Sequence, residues 1–164
     1  MGPTEINGLP AHVLLVHVVV MLIPITALLL LASAVWPAAR RRIGVVLPVV
    51  ALLSLISVPV TANAGQWLMR RMGGGSPLIG EHASLADQLL PWTAGLFVVS
   101  LAVWAVHRFV PAARAGNGRT AATIGLAVLS LIVAVGSVYT VYRVGDTGAK
   151  AAWDGVVSAA PAAE

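Results

Sequence analysis

Histidine is the residue type in this chain with the most evident capacity for chemistry. The 164 residues include four histidines and no cysteine. A neutral imidazole binds transition metals and haem iron, whereas the absence of cysteine excludes disulfides, thiolate metal sites and thioether-linked haem. His17 is prominent because it lies within the uncharged run 14–20. Polar groups inside such runs usually face a bundle interior or a cavity, so the histidines are the first candidates for a functional site.

Two histidines of the first apolar run are poorly placed to act as ligands of one ion. His12 and His17 are five residues apart, which separates them by about 140° around a helix. We expect His12 to meet His82 near the membrane surface and, one turn deeper, His17 to approach Asp87. The candidate ligands of haem b or a transition metal are therefore His12, His17 and His82, with Asp87 as a further metal ligand. The supporting polar residues expected nearby are Asn63, Gln66, Glu81 and Asp146.

A purely structural interpretation of the same histidines stays open. A neutral imidazole inside a helix bundle can simply donate a hydrogen bond to a backbone carbonyl of a neighbouring helix. The run 145–150 has the composition of a phosphate loop but lacks the GxxxxGK[ST] spacing, and the chain holds no HExxH or GxSxG motif. We therefore assign no catalytic residue, and the sequence favours a protein that is not an enzyme.

The elements that must position these residues are membrane-spanning helices. The chain is 59% hydrophobic and only 10% charged, with a mean hydropathy of +0.92. Charged residues are absent from 6–39, 43–69, 88–107 and 120–142. A helix of about 20 apolar residues crosses a hydrocarbon core of roughly 30 Å, so each run can form one span. The sequence predicts an all-α integral membrane four-helix bundle that forms a single domain over 1–164.

The predicted spans end near charged residues, and they contain prolines and small residues that shape their packing. They cover about 12–36, 43–67, 85–107 and 121–142, and a tail follows over 143–164. We interpret the first as a mature span, since it is longer than the core of a signal peptide and no basic segment precedes it. Prolines 24, 48, 59 and 91 are expected to kink their helices. In the fourth span, small residues three and four apart predict a packing face: Thr123, Ala127, Ser130, Ala134 and Ser137.

Arginines at the hairpin tips indicate the orientation. Arg40, Arg41 and Arg42 follow the first span, and Arg108, Arg114 and Arg119 follow the third. All six acidic residues lie in the other segments. Because basic loops stay in the cytoplasm, both termini and the middle loop are predicted to lie outside. The similar segments 36–40 and 110–114, which read WPAAR and VPAAR, also indicate two duplicated hairpins.

Several short motifs resemble a bacterial family. They are Asn7-Gly8-Leu9-Pro10-Ala11-His12, Leu14-Leu15-Val16-His17, Gly80-Glu81-His82 and the segment from Gly145 to Trp153. Together they resemble the four-helix membrane family catalogued as domain of unknown function 2231, over essentially the whole chain. Some members of that family are joined to Rieske-type iron–sulfur domains, which implies redox work. The chain departs from the family pattern at Val13, Val18, Val19 and Asp146.

The sequence leaves three functions open. It favours an accessory or scaffold membrane protein that carries a polar cluster of histidines and acids at the outer helix ends. The nearest alternative is a haem- or metal-binding redox protein, and a small transporter ranks last because no charge lies in mid-membrane. The expected location is the bacterial cytoplasmic membrane, with the lipid bilayer and other membrane or redox proteins as partners. Nucleic acid is not expected, because the net charge of +4 reflects residues that orient the spans.

Overall fold

The structure is a computed structural model that describes residues 4–74, 76–110 and 116–154. The helices are α1 (Ala11–Val35), α2 (Pro37–Ile43), α3 (Val46–Arg71), α4 (Pro77–Asp87), α5 (Leu89–Phe109) and α6 (Gly116–Trp153). A two-stranded antiparallel hairpin, β1 (Glu5–Ile6) and β2 (Leu9–Pro10), precedes α1. Its turn is formed by Asn7 and Gly8, both with positive φ, as two-residue hairpin turns require. The helix α1 begins directly after β2, so His12 lies in the first turn of α1, next to the hairpin.

Four helical segments within the described residues are long and apolar enough to cross a membrane. They are α1, α3, the combined segment α4–α5 and residues Thr120–Trp153 of α6. This confirms the prediction of an all-α chain with four apolar spans. The large apolar side chains exposed on these helices, such as Leu28, Val98 and Ile132, are those that a bilayer would cover.

The four long segments form an antiparallel bundle with neighbours in the order α1, α3, α5 and α6, and α6 packs back against α1. The hydroxyls of Thr26 in α1 and Ser54 in α3 lie 2.8 Å apart. On the opposite side, the Ser137 hydroxyl of α6 donates to the backbone oxygen of Trp92 in α5, at 3.4 Å. Because the helices are antiparallel, the helix ends and the connecting segments gather at two opposite ends of the bundle. We call the end where α1 and α4 begin the histidine end, and the end where α1 and α5 finish the arginine end.

Small and hydroxyl-bearing residues fill the helix interfaces. The buried polar residues include Thr26, Ser54, Thr93, Ser130 and Ser137, and most of their hydroxyls donate to a carbonyl three or four residues earlier in the same helix. Such bonds satisfy the hydroxyl locally and let the helix backbones approach closely. Ser130, Ala134 and Ser137 are buried, which confirms that the predicted small-residue face of the fourth span points inward.

The third span is longer than predicted and is interrupted by a turn. It begins at Pro77, where the Ser76 hydroxyl accepts a hydrogen bond from the Ile79 amide and proline occupies the first turn. A turn at Gln88 separates α4 from α5. Pro91 accounts for this interruption, because proline has no amide hydrogen to donate to the carbonyl of Asp87, four residues earlier. The helix α4 packs against α6, and α4 carries His82.

The helix of the fourth span, α6, extends past its apolar stretch. The sequence predicted a tail from residue 143, yet α6 continues to Trp153. Apolarity sets the length of a span but not the length of a helix, and residues 143–153 contain no proline to end it. The consequence is that Val144, Thr147 and Gly148 stand on a helix beside α4. The part of the predicted tail over 155–164 lies outside the described residues.

Candidate two-histidine site

His12 lies at the start of α1 with its ring turned toward α3. Its Nδ1 is 3.0 Å from the backbone oxygen of Thr61. A carbonyl oxygen only accepts, so Nδ1 carries the proton and donates. The ring also packs on Gly65, where a Cβ atom would come within 2.8 Å of the His12 ring. Glycine at position 65 therefore leaves the space that the imidazole fills.

His82 in α4 is held in the same way by α6. Its Nδ1 donates to the backbone oxygen of Val144 at 3.1 Å, and the Thr147 hydroxyl lies 3.4 Å from the same nitrogen. The ring packs on Gly148, where a Cβ atom would come within 3.0 Å of it. The imidazole is half-buried between the two helices.

The two imidazoles lie next to each other at the histidine end. Their ring centres are 6.3 Å apart and the ring planes cross at 80°. This confirms the expectation that His12 and His82 meet. In each neutral ring the proton is on Nδ1, so Nε2 has a free lone pair. Within the described residues neither Nε2 makes a hydrogen bond, which leaves both available as acceptors or ligands.

The construction around each histidine repeats from one hairpin to the other. In both, a histidine near the start of the first helix donates to a carbonyl of the second helix, and a glycine follows that carbonyl by four residues. Thr61 and Gly65 play these parts in one hairpin, Val144 and Gly148 in the other. Sequence reasoning compared only the segments 36–40 and 110–114 and missed both glycines. Residues 111–114 of the second segment lie outside the described residues. A search for histidine–glycine pairs at matching hairpin positions would have found them.

His17 does not join this pair, contrary to the expectation from its depth in the span. Its side chain is exposed on the outer face of α1, and its Nδ1 donates to the Val13 carbonyl of its own helix at 2.7 Å. Met21, on the same face, is 65% exposed. The rotation of α1 that buries His12 against α3 turns His17 outward, because the two are about 140° apart.

Asp87 lies apart from the histidines. Together with Asn63 and Gln66 it lines an open groove of about 370 Å³ between α3 and the junction of α4 with α5. The sequence correctly placed these three residues together, but all are exposed and the Asn63 amide donates to the Pro59 carbonyl of its own helix. Asp87 is therefore a groove residue and His17 is not its partner.

The remaining acids of the expected cluster are also engaged elsewhere or exposed. Asp146 pairs with Lys150, one turn later in α6, at 2.7 Å, and Glu81 is exposed on α4. Over residues 4–74, 76–110 and 116–154, no group of three histidine, aspartate or glutamate side chains is arranged to hold one metal ion. The four-ligand set of His12, His17, His82 and Asp87 is therefore not assembled, and the candidate site is reduced to two imidazoles.

No family model, curated protein or solved structure matches the chain. The chemistry of the site must therefore be argued from its own geometry. Metal-binding histidines usually donate their second ring nitrogen to a carbonyl or carboxylate, which fixes the ring and its tautomer. His12 and His82 both have that arrangement, each with a backbone carbonyl as the partner.

Proposed function

We propose that this protein is a membrane redox protein that holds an iron or copper centre between His12 and His82, with haem b as the favoured form. The observation that carries the proposal is the pair of imidazoles 6.3 Å apart, each fixed through Nδ1 by a carbonyl of a neighbouring helix. Metal–nitrogen distances to histidine are roughly 2.0–2.1 Å. The separation of the ring centres is of the size that one metal centre between two ring edges requires.

The number of protein ligands favours haem over a bare ion. A bare zinc ion in a structural site takes four protein ligands, and the described residues offer no third histidine or acid here. Haem iron takes four ligands from the porphyrin, so His12 and His82 would be the two protein ligands that hold it. The protein's contribution would be to fix both rings and to surround the iron with an apolar bundle, which tunes its potential.

The test is the cofactor content of the purified protein. Protein produced with an adequate haem and metal supply and purified in detergent is expected to show a Soret band, with about one haem per chain. A chain that shows no Soret band but about one equivalent of bound copper or iron would support the metal-ion form. The proposal fails if neither a Soret band nor bound copper or iron is found.

A scaffold protein is the second candidate, favoured by a specific observation. Each imidazole already ties two helices together, His12 joining α1 to α3 and His82 joining α4 to α6. In an apolar bundle such interhelical bonds contribute to packing without any ligand. Under this reading His12 and His82 contribute to folding alone.

The motifs around His12 and from Gly145 to Trp153 support membership of the four-helix family named above, which is itself a proposal.

The orientation that goes with this function is N-out and C-out in a bacterial cytoplasmic membrane. Its support is the arginine end, where Arg40 to Arg42 and Arg108 stand without any acid in the hairpin segments 36–45 and 107–119. This puts the histidine pair near the outer surface.

Cysteine labelling tests the orientation directly, since the natural chain has no cysteine. In intact spheroplasts, Glu81→Cys is expected to react with a membrane-impermeant maleimide. Arg42→Cys is expected to react only after the membrane is permeabilised, because its side chain is exposed on the cytoplasmic side. Labelling of both variants after permeabilisation is the control, and the reverse pattern in intact cells would contradict the orientation.

A further inference from the structure

A second cavity lies at the arginine end of the bundle, far from the histidine pair. It has a volume of about 210 Å³ and is open on one side. The first hairpin and the end of α5 form its walls. Its polar lining consists of Ser33, Arg40, Arg41, Trp104, His107 and Arg108. A space of roughly 10–15 Å³ holds one water molecule, so this cavity has room for a much larger polar group.

The electrostatics of this cavity favour an anion. Arg40, Arg41 and Arg108 line it, and arginine stays protonated at every pH relevant to a protein. The two connecting segments at this end, 36–45 and 107–119, contain no aspartate or glutamate. Arg41 and Arg108 bring two like charges to one space, and a bound anion would attract both of them. Arginine also presents a planar fork of donors that matches phosphate oxygens.

A buried hydroxyl adds a second polar feature to the cavity wall. Ser33 in α1 is 1% exposed, and its Oγ has no hydrogen-bond partner in the part of the chain that the structure describes. Most other buried serines and threonines of the bundle donate to a carbonyl of their own helix. A buried hydroxyl without a partner costs about 1–3 kcal/mol. Ser33 lines the cavity, so a phosphate oxygen there would accept its proton.

Arg40 has a different role from Arg41 and Arg108. Its Nε donates to the Ser33 carbonyl and its Nη2 to the Ala34 carbonyl, at 2.8 Å for the latter. These bonds satisfy the last carbonyls of α1 and hold the guanidinium at the cavity wall. Arg41 and Arg108 are exposed at the rim. Arg40 is thus a positioning residue, and the rim arginines are the ones to vary.

We propose that this cavity binds a phosphate group, and that the headgroup of an anionic phospholipid supplies it. Basic pockets between transmembrane helices recognise such headgroups through charge and hydrogen bonds. Trp104, half-buried at the cavity, is of the residue type that sits at the headgroup level of a bilayer. The inference is independent of the two-histidine site and of the orientation, because it rests only on residues of the arginine end.

Lipid retention in native mass spectrometry tests the proposal. The full chain, purified in detergent, is titrated with phosphatidylglycerol, with zwitterionic phosphatidylcholine and, separately, with inorganic phosphate. Phosphatidylglycerol is expected to bind at least about tenfold more tightly than phosphatidylcholine. The double variant Arg41→Gln/Arg108→Gln is expected to lose that preference, and Ser33→Ala to weaken it several-fold while unfolding at the same temperature as wild type, or higher, without lipid.

Arg42→Gln is the matched control, because it removes the same charge from the adjacent position but does not line the cavity. It is expected to keep the preference for phosphatidylglycerol. Equal binding of the two lipids, or an equal loss in Arg42→Gln and Arg41→Gln, would overturn the proposal. Saturation by inorganic phosphate alone, with no gain from the lipid, would support the phosphate site and overturn the lipid as its source.

Discussion

His12→Ala and His82→Ala are each expected to lower the affinity for haem or metal by at least about a hundredfold, more than the loss of a supporting partner costs. Each variant removes one of the two imidazoles that lie 6.3 Å apart, and the described residues offer no third histidine or acid to replace it. The measurement is the Soret absorbance per chain, or bound iron and copper, after purification under identical conditions.

His17→Ala is the control for these variants. It removes the same chemical group from the same helix as His12, yet the His17 ring is exposed on the outer face and bonds only to Val13 of its own helix. Cofactor content is expected to match that of wild type. If His17→Ala lost the cofactor as completely as His12→Ala, the two-histidine site would be wrong.

Folding can be separated from binding in the same series. The hydrogen bond from His12 to Thr61 joins two helices, and such bonds contribute about 0.6 kcal/mol on average in a membrane protein. The variants are therefore expected to stay folded. If wild type held no cofactor and His12→Ala and His82→Ala lowered only stability, the scaffold function would be the better account.

Gly136→Ala is expected to destabilise the bundle by about 1–3 kcal/mol, the usual cost of overpacking a well-packed interior. A Cβ atom at this position in α6 would come within 2.2 Å of the Trp92 ring of α5. The Trp92 backbone oxygen also accepts from Ser137, which ties α5 to α6 at the same level. The measurement is the free energy of unfolding in mixed detergent and denaturant.

Gly125→Ala provides the comparison within the same helix. No atom would lie within 4 Å of its Cβ, so nothing has to move. Alanine is favoured over glycine inside a helix by about 0.5–1 kcal/mol, and this variant is expected to be neutral or slightly stabilising. Equal losses in both variants would mean that α5 and α6 are not packed through Trp92 and Gly136.

The repeated histidine–glycine arrangement explains how two hairpins make one site. Each hairpin fixes one histidine of the pair, His12 in the first and His82 in the second, so a single hairpin supplies only half of the site. In the second hairpin, α4 carries His82 and packs on α6, while α5 continues through the bundle. The site therefore depends on packing the two hairpins together, in keeping with the suggestion from 36–40 and 110–114 that they are related.

The sequence by itself determined the class of fold and the approximate spans. Charge-free runs of about 20 residues can be recognised in the sequence alone. In lipid they must form helices, because every backbone polar group has to be hydrogen-bonded within the segment. The same reasoning placed His12 and His82 at one end of the bundle and the arginines of the hairpin tips at the other. It also identified the inward face of the fourth span, because small residues at three- and four-residue spacing mark a packing surface.

Only the tertiary structure decided which polar residues meet. Each step along a helix turns the side chain by about 100°, and an apolar helix in lipid has no polar face that reveals which side is inward. His17 was therefore placed by its depth alone, and the structure turns it outward, while Gly65 and Gly148 gained their meaning only from the rings that rest on them. The depth of a residue in the membrane follows from its position in the sequence, whereas its direction follows from how the helices pack.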